Sequence, residues 1–261
     1  MIRVVFCIIC LFAFQRLYSQ EIRGVEGRWQ LTNITREEAR EKAIEEAKKE
    51  ALRRAGVEER IRATETVSTF EANDLFQQMY NAFSSVEMSG AVISFEVVRD
   101  DLERSKIDGQ WYATVTINAT VKKYTTTTDP EFKIDVRGLR SNGYRNGEVI
   151  TFSVIPNKNG FMKIFVFENS RDATLLFPND FEKNRKLKAK ETINFPTVHG
   201  IEYYALKTTA DRLEHNLWVF VYTKSDIPYY GAVTYHHVIS WINNIEPSER
   251  DVIIEPLLIT E

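Results

Sequence analysis

From Trp111 to Lys122 apolar and polar residues alternate without a break: Trp111, Ala113, Val115, Ile117, Ala119 and Val121 on one side, Tyr112, Thr114, Thr116, Asn118 and Thr120 on the other. A period of two predicts a strand, Gln110 to Tyr124, packed on one face and polar on the other. The Asp108-Gly109 turn joins it to an earlier strand, Ala91 to Arg99. Upstream the period changes. Thr35 followed by Glu38 is a capping-box pattern, and Ala39, Ala43, Ala47, Ala51 and Ala55 then recur at every fourth position. The pattern predicts a helix from Arg36 to Ala55, with Ile44 and Leu52 widening its stripe and Gly56 as the left-handed stop. Alanine at successive turns permits a close approach, so the helix should dock on the apolar face of the sheet. Its outer side carries Glu38–Lys42, Glu45–Lys49 and Glu50–Arg54 in the favourable acid-first order. A shorter helix capped by Asn73 or Asp74 would gather Leu75, Phe76, Met79, Tyr80 and Phe83 on one side.

Thr125 to Thr128 and Asp129-Pro130 interrupt this region, because β-branched residues keep the chain extended and proline ends a ladder. They set a linker at 125–131 between a module at 22–124 and a second at 132–261. Beyond the linker, seven strand-like runs alternate with turns: Phe132 to Arg137, Glu148 to Ile155, Phe161 to Phe167, Ala173 to Phe177, Thr192 to Phe195, Ile201 to Lys207 and Leu217 to Tyr222. They predict a β-sandwich whose Phe161 to Phe167 strand is buried on both faces, and Leu176 is assigned to its core. Pro156 to Gly160 and Glu168 to Asp172 are the clearest turns. Val238, Trp241, Ile242 and Ile245 then follow helical spacing behind a Thr234 cap. Val252 to Ile259, interrupted by Pro256, reads as an edge strand; this tail should pack on the sandwich. The fold class is α+β.

Charge and cysteines narrow the setting. Arg3 and Arg16 flank an apolar run from Val4 to Phe14, too short for a membrane span of about 20 residues but suited to a secretory leader. Residues 1–20 are read as a signal peptide cleaved between Ser19 and Gln20, in preference to lipidation at Cys10, which follows the bulky Ile9. Cys7 and Cys10 both leave with the leader, so the exported chain has no thiol for a disulfide, a zinc thiolate site or a nucleophile. The leader takes two basic residues and no acid, which moves the net charge from −3 to −5. That acidity disfavours nucleic acid, and no further apolar stretch reaches membrane length.

Two resemblances follow. Ile34 to Arg40 continuing to Gly56, Ser89-Gly90, and Gly109-Gln110-Trp111-Tyr112-Ala113-Thr114-Val115 together resemble the N-terminal module of flagellar-assembly protein T and related small envelope lipoproteins. The resemblance implies an α+β envelope domain without catalytic residues. Gly147 to Val154, Gly160-Phe161, Leu175-Leu176-Phe177-Pro178-Asn179 and Phe195-Pro196 are similar to the bacterial domain of unknown function 4384. Lys190 stands where that family's turn usually carries glycine. This second resemblance implies a β-sandwich-like envelope domain and assigns no reaction.

Candidate chemistry is sparse. The four histidines, His199, His215, His236 and His237, have no cysteine to join them, and the adjacent pair points in different directions. Nucleophile-elbow, zinc-protease and phosphate-loop motifs are absent, so no catalytic residue, metal or cofactor is assigned. Lys183, Arg185, Lys186, Lys188 and Lys190 place five cations in eight residues. Such a strip could meet anionic lipid or polysaccharide, or serve as a charged edge that resists strand pairing. Tyr203-Tyr204 and Tyr229-Tyr230 are adjacent aromatics, of which a strand would expose one each; Tyr204, Tyr229 and Tyr230 are the candidates for stacking on a sugar or partner. The sequence therefore predicts an exported, non-enzymatic protein of the periplasm or outer envelope acting through an envelope protein partner. The alternatives are a glycan-binding module and a hydrolase with two carboxylates brought together from distant positions.

Overall fold

A computed structural model describes residues 19–57, 79–80, 90–168 and 173–261. The predicted leader up to residue 18, residues 169–172 of the predicted Glu168 to Asp172 turn, and most of the second predicted helix lie outside the described residues; Met79 and Tyr80 from that segment are helical. The N-terminal part holds β1 (Ser19–Gln30), α1 (Arg36–Arg54), β2 (Gly90–Arg104) and β3 (Trp111–Lys123). The strands form an antiparallel sheet in the order β1-β3-β2. Thr35 and Glu38 form the reciprocal capping box. At the other end Gly56 adopts φ +69°, and the Gly56 and Val57 amides donate to the Arg53 and Leu52 carbonyls, which closes the helix in a Schellman turn.

The alanine stripe docks as its spacing predicts: Ala39, Ala43, Ala47 and Ala51 are fully buried against Val115, Ile117 and Val121. Closest approach falls at Gly27, where a β-carbon would lie 1.9 Å from the Ala43 carbonyl oxygen. Two expectations are corrected. Trp111 stands at the open end of the sheet and is 48% exposed, so the packed face begins at Ala113. On the helix surface Glu50 pairs with Arg54 as expected, whereas Lys49 bonds Glu46 rather than Glu45, because Lys48 occupies Glu45. Strand β1 was not anticipated: with two glycines and four charged residues in twelve, its alternation is too weak to read.

The remaining strands are β4 (Ile134–Arg137), β5 (Tyr144–Arg145), β6 (Glu148–Ile150), β7 (Phe152–Pro156), β8 (Phe161–Glu168), β9 (Ala173–Phe177), β10 (Ile193–Phe195), β11 (Tyr203–Ala205), β12 (Leu213–Thr223) and β13 (Arg250–Thr260). A five-stranded sheet, β5-β13-β12-β8-β9, faces the small sheets β10-β7-β4 and β11-β6 across a core that includes Phe152, Phe177, Phe195, Trp218 and Phe220. Phe152 stacks on Phe195 at 4.9 Å and meets Trp218 edge-on at 5.7 Å. As predicted, β8 is buried on both faces: Met162, Ile164 and Val166 enter this core, while Phe165 and Phe167 enter a second one on the far side of the sheet. Leu176 is only half-buried, and Phe177, fully buried, is the core residue of β9. The predicted Glu148 to Ile155 strand is two, β6 and β7, which belong to different sheets.

Helix α2 (Tyr235–Asn244) covers that far side with Tyr235, Val238 and Ile242. The Thr234 hydroxyl makes no backbone cap and bonds the His237 ring instead. The tail also does more than pack on the sandwich. The Ser240 hydroxyl donates to the Ile93 carbonyl on β2, and the Lys122 ammonium, buried at the end of β3, donates to the Asn244 carbonyl at 2.9 Å and pairs with Glu246 at 3.0 Å. The Tyr124 hydroxyl donates to the Asn243 carbonyl. Strand β13 lies next to the sheet's edge, and β5 pairs only its Ile259 and Thr260, which agrees with the place given to Pro256.

Candidate functional site

Immediately after β9 the chain is organised by one asparagine. The Asn179 side-chain carbonyl accepts from the Phe181 and Glu182 amides, both at 2.8 Å, and its amide nitrogen donates to the Leu176 carbonyl at 2.6 Å. This turn aims Glu182 inward. Its carboxylate is completely buried and accepts from the Thr197 amide and the Tyr203 hydroxyl. Burial, reinforced by Glu182, holds the Tyr203 phenol well above its ordinary range. Five residues on, Leu187 is buried and exchanges backbone bonds with Gly160. The Ala189 amide then donates to the Asn159 side chain and the Lys190 amide to the Pro156 carbonyl, both at 2.7 Å. Lys190 takes φ +63°, the left-handed conformation that glycine adopts without strain.

Between these anchors Lys183, Arg185, Lys186, Lys188 and Lys190 are all exposed, and none forms an ion pair among the described residues. The acid best placed by sequence to neutralise them, Glu182, is turned away. The result is an irregular segment with an anchored backbone and five cations without an ion pair among the described residues, a surface suited to an anion.

The structure separates the tyrosine candidates. On β11 the alternation turns Tyr203 in and leaves Tyr204 49% exposed, its hydroxyl donating to Glu202. Its cross-strand partner Val149 is also exposed. Tyr229 and Tyr230 lie in a loop instead of a strand, which corrects the strand argument. Tyr229 packs on Phe165 at 5.1 Å and Trp241 at 5.6 Å and donates to the Ala232 carbonyl, so it is half-buried and structural. Tyr230 is 87% exposed. Its loop is tied to the basic segment through Asp226, which accepts from the Asn184 side chain at 2.8 Å. Asp226 also faces Lys163 at 3.8 Å, a buried lysine whose ammonium is weakened by desolvation. The exposed Phe181, which the sequence reading passed over, begins the segment. Ser19 and Gln20 open β1, paired with Lys122 and Val121.

The histidines are dispersed. His236 meets Phe95 edge-on at 6.2 Å, His237 bonds Thr234, and burial lowers the basicity of His215. Among the described residues no three His, Asp or Glu side chains are placed to hold a metal ion, and no helix is long and apolar enough to cross a membrane.

The molecule is thus an α+β protein with its most distinctive surface on the loop after β9. Residues 143–211 match the family described as Domain of unknown function (DUF4384), a region that includes Glu182, all five cations and Tyr204 and excludes the Tyr230 loop. No curated protein matches the chain. These comparisons give no support to the N-terminal likeness to flagellar-assembly protein T.

Proposed function

We propose that this is an exported, non-enzymatic envelope protein that works by contact with another protein, and that the segment Lys183 to Lys190 is the contact surface for an acidic patch on that partner. The observation that carries the reading is the combination of five cations, unpaired among the described residues, with a backbone held by Glu182, Leu187 and Lys190. Cations on a fixed frame lose little conformational freedom on binding, and as a group they attract an acidic surface over about 10 Å at 0.1 M salt. Exposed Phe181, which adjoins the segment, supplies an apolar contact of the kind a protein interface needs. Export rests on the leader pattern at the N-terminus.

A variant with all five cations changed to serine tests the reading. It should retain the thermal stability of the parent, since exposed substitutions shift stability by about 0.5 kcal/mol or less each. It should lose the partner recovered with the parent after crosslinking in intact cells. Retention of that partner would refute the assignment of the surface.

The exposed rings of Tyr204 and Tyr230 favour a second reading, a module that binds envelope polysaccharide by stacking. Titration against purified anionic polysaccharides separates the two: binding lost in Tyr204→Ala and Tyr230→Ala variants would establish the second reading in place of the first.

A further inference from the structure

At the opposite end of β8 the core face of the large sheet turns polar. Register places Glu168 of β8 directly across from Asn216 of β12, and Glu214 lies two residues along β12 on the same face. Beyond them the same face is occupied by Val166 and Trp218, and Leu257 of β13 flanks Asn216 directly. Asn216 is 3% exposed, and its side-chain oxygen has no hydrogen-bond partner among the described residues. A buried carbonyl left unpaired is unfavourable, and native proteins rarely tolerate one.

Glu214 is 1% exposed. Its Oε2 accepts from the Thr208 amide, the Thr209 amide and the Thr209 hydroxyl, whereas its Oε1 accepts only from the Thr208 hydroxyl. One oxygen of the buried carboxylate therefore keeps acceptor capacity. Burial and the neighbouring Glu214 both push the acid of Glu168 up. Among the described residues, the end of the sandwich thus gathers two carboxylates and an amide oxygen with acceptor capacity to spare.

We propose that Glu168, Glu214 and Asn216 bind a divalent cation of the calcium type. All three donors are oxygens, which selects a hard cation over zinc or copper, and two carboxylates match a charge of +2. Asn216 supplies the third ligand through its side-chain oxygen. Calcium completes six to eight ligands with water and tolerates irregular geometry, whereas magnesium demands a near-ideal octahedron. The site is separate from the basic segment and does not depend on the function proposed for it.

Terbium luminescence tests the proposal on the purified protein. Trp218 is two residues from Asn216 on the same face and serves as the antenna. Tryptophan excitation should give terbium emission that calcium displaces. Glu168→Gln keeps the side chain's shape and removes a like-charge contact, so its metal-free melting temperature should equal or exceed that of the parent, while calcium affinity falls at least tenfold. Asn216→Leu should weaken calcium comparably. Absence of displaceable emission, or calcium affinity unchanged in Glu168→Gln, would overturn the proposal.

Discussion

Gly27 and Asp108 show how much of the N-terminal region depends on single atoms. A methyl group on Gly27 would lie 1.9 Å from the Ala43 carbonyl oxygen and 2.5 Å from the Ala47 amide nitrogen, so α1 could not keep its place over the sheet. Gly27→Ala should therefore lower stability by about 1 to 3 kcal/mol, or more if the helix cannot shift, as measured by urea unfolding. An unchanged midpoint would place the helix farther from β1 than described. Asp108, exposed in the β2–β3 turn, accepts from the Tyr112 hydroxyl at 2.7 Å and the Gln110 amide at 3.0 Å. Those bonds, the tyrosine's first, hold its carboxyl at about 2. The depressed value means that the turn's stabilisation is complete above the unfolded-state range near 4 and is lost as pH falls through about 2. Titration followed by NMR should place the Asp108 midpoint near 2 in the parent and higher in Tyr112→Phe; a midpoint near 4 in the parent would contradict the bond.

At the scale of elements, the stripe of α1 and the alternation of β3 could be read because each faces a single neighbour, so period and burial coincide. Where an element meets the end of a layer that link fails. Trp111 keeps the parity of β3 yet protrudes beyond the helix, and Leu176 shares a motif with Phe177 while lying on a strand at the rim of its sheet. Phe177→Ala should accordingly cost about 3 to 5 kcal/mol, Leu176→Ala distinctly less, and Lys186→Ala under about 0.5; a larger loss for Leu176→Ala than for Phe177→Ala would reverse this assignment of the core. The basic run was legible as charge, but its rigidity was not, because Glu182 reads in sequence as one more surface acid and only the fold aims it at Tyr203. Trypsin offers a direct check, since its target residues fill the segment. Glu182→Ala should speed native-state cleavage within 183–190 at least tenfold, and equal rates would show that the carboxylate does not hold the loop.

Across the whole molecule, the C-terminal helix couples regions that the threonine-rich linker separates in sequence. Lys122, Tyr124 and Ile93 all bond to α2 or the turn that follows it, and Met79 joins the core beneath that helix. Calorimetry should thus show one cooperative transition for the parent. Lys122→Ala, which leaves Glu246 and the Asn244 carbonyl without their cation, should broaden or split it; separate transitions already in the parent would mean that these contacts contribute little. The linkage also bears on function, because it fixes the N-terminal sheet relative to the sandwich that carries the basic segment.

That segment is the centre of the account, and a photo-crosslinking residue placed at Lys186 in intact cells tests it most directly. The account predicts one discrete adduct with a single protein, abolished when Lys183, Arg185, Lys188 and Lys190 are neutralised. An adduct that survives neutralisation, or none at all, would contradict it.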